Sequence, residues 1–180
     1  MYDTFSSNYD RFVDWASRLA YEMPFIESQI ETAMSGIQGP PRILDAACGT
    51  GMHAIALAQR GWIAAGADLS EGMISRARQN AQLGGVDVDF RAVGFGQLAA
   101  AFRSGSRIIP LDGLVCLGNS LPHVLTHEEM STVLCDFHAC LRSGGVLIIQ
   151  NRNFDLVLRN QQRWMEPQGY TDNGHEWIFL

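Results

Sequence analysis

The chain contains no lysine; its thirteen basic residues are all arginine. A protein without lysine has no amine for a pyridoxal Schiff base and no phosphate-gripping lysine for a P-loop, so neither enzyme class fits. Cysteine is scarce as well. Cys48, Cys116, Cys135 and Cys140 form no CxxC pair and share no metal-ligand spacing with the five histidines, so free thiols are expected and no metal centre. No apolar run approaches the roughly 18 residues of a membrane span. The start lacks the basic segment and apolar core of a secretory leader, and a soluble, cytoplasmic protein is expected. A net charge of −6 with no clustered basic tract leaves no electrostatic footprint for nucleic acid or an anionic membrane. Small molecules are the expected partners, and a homo-oligomer is left open.

What is present suits one sizeable core: 180 residues, 47% hydrophobic and 18% charged, an ordinary globular balance. Residues 1–41 carry Phe5, Tyr9, Phe12, Trp15, Leu19, Phe25 and Ile26 at helical spacing, which predicts one or two helices broken near Pro24 as an N-terminal cap. From Arg42 the pattern alternates. Strand RILDAA, a glycine turn, a helix to Arg60 stopped by Gly61, and strand WIAAGAD lead to Ser70 as the N-cap of a helix reaching Leu83. Segments 86–93 and 111–118 read as further strands, with a short helical stretch at 97–103 between them. THEEM at 126–130 fits a capping box opening a helix whose apolar face is Met130, Val133, Leu134, Phe137 and Leu141. RSGG should stop that helix and VLIIQ should be a fifth strand.

Strands alternating with helices through short turns predict a mostly parallel α/β sheet with helices on both faces over residues 42–151, binding its ligand at the carboxyl ends of the strands. Residues 152–180 read as a partial substrate-side segment that stops at Leu180, and a truncated chain is expected.

The stretch LDAACGTG decides between ligands. Gly49-Thr50-Gly51-Met52-His53-Ala54 satisfies GxGxxA, and Asp68 lies near the distance of a ribose-binding acid, so an NAD-dependent oxidoreductase is one reading. Asp45 argues otherwise. At the strand end, a carboxylate repels a pyrophosphate but holds an ammonium group. S-adenosylmethionine meets that requirement: its ammonium on Asp45, its ribose hydroxyls on Asp68, and its backbone against Gly49 and Gly51, where no side chain intrudes.

Together with LDAACGTG, the segments GADLSEGMISRARQNA, CLGNSLPH and LRSGGVLIIQNRNFD resemble the class I S-adenosylmethionine-dependent methyltransferases, in particular their glycine/sarcosine N-methyltransferase branch, from about Tyr9 to about Leu158. The resemblance implies a Rossmann-like fold whose family sheet has seven strands, of which five are expected here. It implies that Asp45, Ala47, Gly49 and Gly51 surround the methionine moiety, that Asp68 takes the ribose, and that Leu69 and Met73 flank the adenosine. Phe95 is left to stack on adenine, because Gly94 stands where the family often carries an acid or amide. Arg18, with Tyr9 beside it, corresponds to the arginine that reaches the methionine carboxylate, a good match for a guanidinium fork. Leu117, Gly118, Asn119 and His123 would line the methyl-donor end, and Arg152 falls where related enzymes hold an amino-acid substrate.

The implied reaction is methyl transfer to a small molecule, such as the nitrogen of a small amine or amino acid, with S-adenosylhomocysteine as product. It needs no metal and rests on alignment and exclusion of water. Asn119 and His123 are the candidate catalytic residues, His123 as acceptor of the amine's proton, and Asn119 is with Arg152 a candidate substrate-binding residue. A non-catalytic module that retains the adenosyl site is the remaining alternative. His53, His127, His138 and His175 read as helix or surface residues, and Cys48 as packing.

Overall fold

The computed structural model describes residues 9–11, 13–103, 109–161, 168–172 and 175–179, with side chains described as far as 161. Residues 9–11 are helical; helix α1 (Trp15–Ala33) is then followed by β1 (Arg42–Ala46), α2 (Met52–Gln59), β2 (Ile63–Asp68), α3 (Glu71–Leu83) and β3 (Asp89–Ala92). Then come α4 (Leu98–Arg103), β4 (Leu111–Cys116), a single 3-10 turn at Leu121–His123, α5 (His127–Cys140) and β5 (Leu141–Ile149). The chain continues through α6 (Phe154–Arg159), β6 (Gln168–Asp172) and β7 (His175–Phe179).

Five strands form one parallel sheet in the order β3-β2-β1-β4-β5. The order reverses between β1 and β4, and a cleft opens at that point because the crossovers leave in opposite directions. β6 and β7 pair antiparallel with each other as a separate two-stranded sheet.

Period-two alternation along the strands distributes the core. Ile43, Ala64, Val115 and Ile148 face α1, α2 and α3, meeting Met23, Ile26, Ile30, Ile55, Ile74 and Ala77. Their neighbours Leu44, Ala65 and Leu114 face α4 and α5, meeting Phe102, Val133 and Phe137. Caps fall where the sequence puts them: the Ser70 side chain accepts from Met73 N, and Thr126 with Glu129 forms the reciprocal box.

Two expectations are corrected. Pro24 does not break α1, which runs for 19 residues through it. A helical proline costs about 3 kcal/mol, whereas burying three large side chains gains about 1.5–3 kcal/mol each. Met23, Ile26 and Ile30 are that stripe, and Pro24 itself is exposed. At the other end of the sheet, RSGG does not serve as a stop. The helix ends at Cys140, Leu141 already pairs with Leu111, and the ladder shifts register before Val146 pairs with Gly113. Leu141 is thus a strand residue, and Leu134 lies on the exposed side of α5.

Candidate functional site

The turn between β1 and α2 is built from left-handed backbone. Ala47 has φ 62°, Gly49 φ 55° and Gly51 φ 80°. The two glycines serve different neighbours. A Cβ on Gly51 would lie 2.6 Å from Phe90 Cζ and 2.9 Å from Ala77 Cβ, so this glycine lets α2 close onto the sheet and α3. A Cβ on Gly49 would face only Tyr9 Cε1 at 3.9 Å, on the cleft side.

Asp68, at the end of β2, accepts from Gly49 N and Ser70 N, both at 2.9 Å. Its carboxylate joins the glycine turn to the start of α3 and retains lone pairs for further donors. Leu69 beside it is exposed, and the Cβ position of Gly94 lies 3.2 Å from Leu69 Cδ1, so these two flank one stretch of the cleft.

Asp45 is the anomaly of the site. It is buried, and its Oδ2 has no hydrogen-bond partner. Burial pushes its carboxyl up from the ordinary 3.8 to about 7, the nearby Asp68 and Glu22 add to the rise, and His53 and Arg18 oppose it. Burying a carboxylate oxygen that no donor meets costs free energy, which protonation or a cationic partner relieves.

A cavity of about 40 Å³ opens beside this acid, lined by Tyr9, Trp15, Arg18, Asp45, Gly49 and Gly118 among others. That is room for about three water-sized groups. The cavity has a carboxylate and a guanidinium on its walls, which matches the zwitterionic end of an amino acid and not a pyrophosphate. Arg18 donates from Nε to Glu22 Oε1 and Oε2 at 3.2 and 3.1 Å and sits over the Trp15 ring at 5.2 Å from its centroid. Its Nη2 lies 3.2 Å from the Cβ position of Gly118.

The remaining candidates fall into three groups. Leu117 is buried at the cavity, and Gly118 and Asn119 take φ 68° and 65° in succession to turn the chain away from β4. Asn119 Oδ1 accepts from Arg152 N at 3.1 Å, which ties the loop after β4 to the loop after β5. His123 and Arg152 are both exposed, on the 3-10 turn and on the loop before α6. Phe95 meets Phe137 of α5 edge-on at 5.6 Å, and Met73 is buried in the first turn of α3.

Several site residues were not anticipated. His53 is a helix residue and not a surface one: it is buried, with Nε2 2.6 Å from Glu22 Oε2. Gln150 donates to Glu22 Oε1 at 2.9 Å, and its own Oε1 accepts from Gly118 N at 2.9 Å. Asp10 gathers four donors from elsewhere: the Thr50 hydroxyl (2.5 Å), Trp15 Nε1 (3.2 Å), Arg76 Nε (2.9 Å) and Asn80 Nδ2 (3.1 Å). Arg18 and Glu22 were legible as an i,i+4 pair; the contacts from residues 53, 150 and 10 carry no local signature. His175 lies outside the described side chains.

Burial raises the Cys48 thiol well above its ordinary value, and Asp45 and Asp68 raise it further, so it is held as an inert thiol. Among the described residues no group of three metal-ligating side chains converges, and no helix is long and apolar enough to cross a membrane.

Residues 43–145 match the family described as a methyltransferase domain. The glycine/sarcosine N-methyltransferase of Halorhodospira halochloris is 32% identical over 98% of this chain and 59% of its own length. Its namesake from Aphanothece halophytica is 33% identical over 86% of this chain and 54% of its own. The chain therefore spans little more than half the length of these relatives. A solved S-adenosylmethionine-dependent methyltransferase from Clostridium acetobutylicum shares the fold at a TM-score of 0.66 and 20% identity, covering 96% of this chain and 65% of that one.

Proposed function

The chain belongs to the class I S-adenosylmethionine-dependent methyltransferases, and from that premise we propose that it transfers the methyl group to the nitrogen of a small amine or amino acid. The observation that carries the donor half is the buried Asp45 carboxyl, whose Oδ2 has no hydrogen-bond partner and which lines one small cavity together with Arg18. In this reading Asp45 takes the donor's ammonium, Arg18 its carboxylate and Asp68 its ribose hydroxyls. Gly49 and Ala47 keep the turn close to the methionine chain, Gly51 seats the turn on the sheet, and Leu69, Met73 and Phe95 bound the adenosine region. Tyr9 and Trp15 cover the cavity and keep water from it.

The donor supplies an electrophilic methyl on a sulfonium, so the protein's part is alignment and proton handling. Asn119 holds the acceptor-side loops in register through its bond to Arg152 N. Leu117 and Gly118 form the wall between the two substrates. Arg152 offers its guanidinium to an acceptor's carboxylate, and His123 receives the proton of the incoming ammonium, directly or through water. The names of the relatives, which act on glycine and sarcosine, support an amino-acid acceptor.

Two experiments test this reading. Calorimetric titration with S-adenosylhomocysteine should show saturable binding that Asp68→Ala weakens at least about tenfold, as expected for losing two charged hydrogen bonds; no binding would end the donor assignment. Transfer of labelled methyl should then be measured on glycine, sarcosine and carboxylate-free amines. Preference for the amino acids, lost in Arg152→Gln through KM, supports the acceptor assignment, and equal use of plain amines removes it. In the same transfer assay His123→Ala should lower kcat with little change in the acceptor's KM, and an unchanged kcat would remove His123 from the reaction.

A further inference from the structure

We propose that Glu22 is a positioning residue that aims the Arg18 fork at the carboxylate of the donor's methionine end, an inference that rests on the donor reading above. A long arginine side chain on a helix samples many rotamers, and holding it ready for a ligand requires something to fix both its plane and its edge. The Trp15 ring, its centroid 5.2 Å from Cζ, backs the guanidinium on one side and limits the orientations open to its plane. Glu22, one turn along α1, captures the Nε edge with both oxygens. The terminal nitrogens are thereby turned toward Gly118 and the cavity shared with Asp45.

Glu22 is in turn held from three directions. Besides Arg18, His53 from the first turn of α2 lies against Oε2 at 2.6 Å, and Gln150 from the end of β5 donates to Oε1 at 2.9 Å. Gln150 closes a circuit, because its carbonyl oxygen accepts from N–H of Gly118, the residue that Arg18 Nη2 approaches. The guanidinium and the peptide it faces are thus referenced to the same carboxylate. Burial pushes the Glu22 carboxyl up, but the hydrogen bond from His53 and the charge of Arg18 outweigh it and hold it below the ordinary 4.5. Glu22 is therefore an anion when the donor arrives, able to hold the arginine by charge as well as by hydrogen bonds.

A residue that merely stabilises the fold would weaken every ligand of the cleft alike. One that aims Arg18 affects only ligands with a carboxylate for Arg18 to meet. The experiment compares S-adenosylhomocysteine with 5′-methylthioadenosine, which has the same nucleoside and thioether but no amino-acid end, by titration of the wild type, Glu22→Gln and Glu22→Asp. The shorter acid keeps the negative charge beside His53 and so protects folding, while its reach falls short of serving Arg18 and Gln150 together. Expected is a loss of about tenfold or more for S-adenosylhomocysteine in both variants, with methylthioadenosine affinity kept within about twofold of the wild type. Equal losses for both ligands, or none for either, would overturn the positioning role while leaving the donor reading intact. Failure of the wild type to bind either ligand would overturn the donor reading and this role with it.

Discussion

Replacing Asp45 by asparagine should make the protein more stable and worse at binding its donor, with both effects set by pH. Asp45 ionises in the folded protein at about 7 and in the unfolded chain at about its ordinary 3.8. Between those values the unfolded chain has released the proton and the folded protein still holds it, so stability falls as pH rises from about 4 to about 7. The gap is roughly three pH units at about 1.4 kcal/mol each, or about 4 kcal/mol at pH 8. The Asp45→Asn protein avoids that cost, because a neutral amide suffers far less from burial than an anion. Urea denaturation should therefore show a stabilised variant at pH 8 and little difference at pH 4. The wild type recovers the cost when a cation arrives: donor binding should expel the Asp45 proton, so affinity should rise up to about tenfold per pH unit between 5 and 7 and level off above. At pH 8 the variant should bind about 10–150-fold more weakly, the range for a hydrogen bond to a charged group. Calorimetry in buffers of different ionisation enthalpy reads the released proton directly. A variant less stable than the wild type at pH 8, with donor affinity independent of pH in both proteins, would refute the argument that Asp45 is an acid awaiting a cation.

Other substitutions test the frame around the site. Gly51→Ala combines φ 80° with a Cβ 2.6 Å from Phe90 and should cost about 2–4 kcal/mol in denaturant melts; an effect below about 0.5 kcal/mol would mean the turn relaxes freely. Asp112 is buried between Arg42 and Arg142, and Asp112→Ala should destabilise by about 3 kcal/mol at pH 7. Although burial pushes the Asp112 carboxyl up, its bonds from Arg142 and Arg42 hold it below the ordinary 3.8. That contribution is present above pH about 4 and is lost as pH falls through the folded value, so wild type and variant should converge in acid. Asp10→Ala strips the acceptor from the fully buried Thr50 hydroxyl and from Trp15. It should cost about 1–3 kcal/mol and raise the dissociation rate of S-adenosylhomocysteine in stopped-flow traces of tryptophan fluorescence.

Local rules account for much of the architecture. Gly49, Gly51 and Gly61 mark turns that require positive φ, Ser70 and Thr126 satisfy orphan N–H groups within three residues, and alternation along β1, β2 and β4 divides the core between two faces. Where local rules misled, a distant partner had prevailed. Pro24 is a breaker by propensity, yet the sheet offers Met23, Ile26 and Ile30 a surface to bury, and the helix continues. RSGG is a stop by composition, yet Leu111 is already in place to pair with Leu141.

For the site the division is the same. That Asp45 and Asp68 stand at strand ends around a glycine turn follows from spacing along a single stretch of chain, and so does the choice of an ammonium-bearing nucleoside over a dinucleotide. That Asp45 Oδ2 is left without a hydrogen-bond partner, that Arg18 lines the same cavity, and that Glu22 draws His53 and Gln150 to the arginine depend on residues up to 128 positions apart. Hydrogen-bond geometry and desolvation act over a few ångströms of space and take no account of separation along the chain. Folding the sheet at its β1–β4 reversal brought those groups together, and only the tertiary structure assigned their charges and partners.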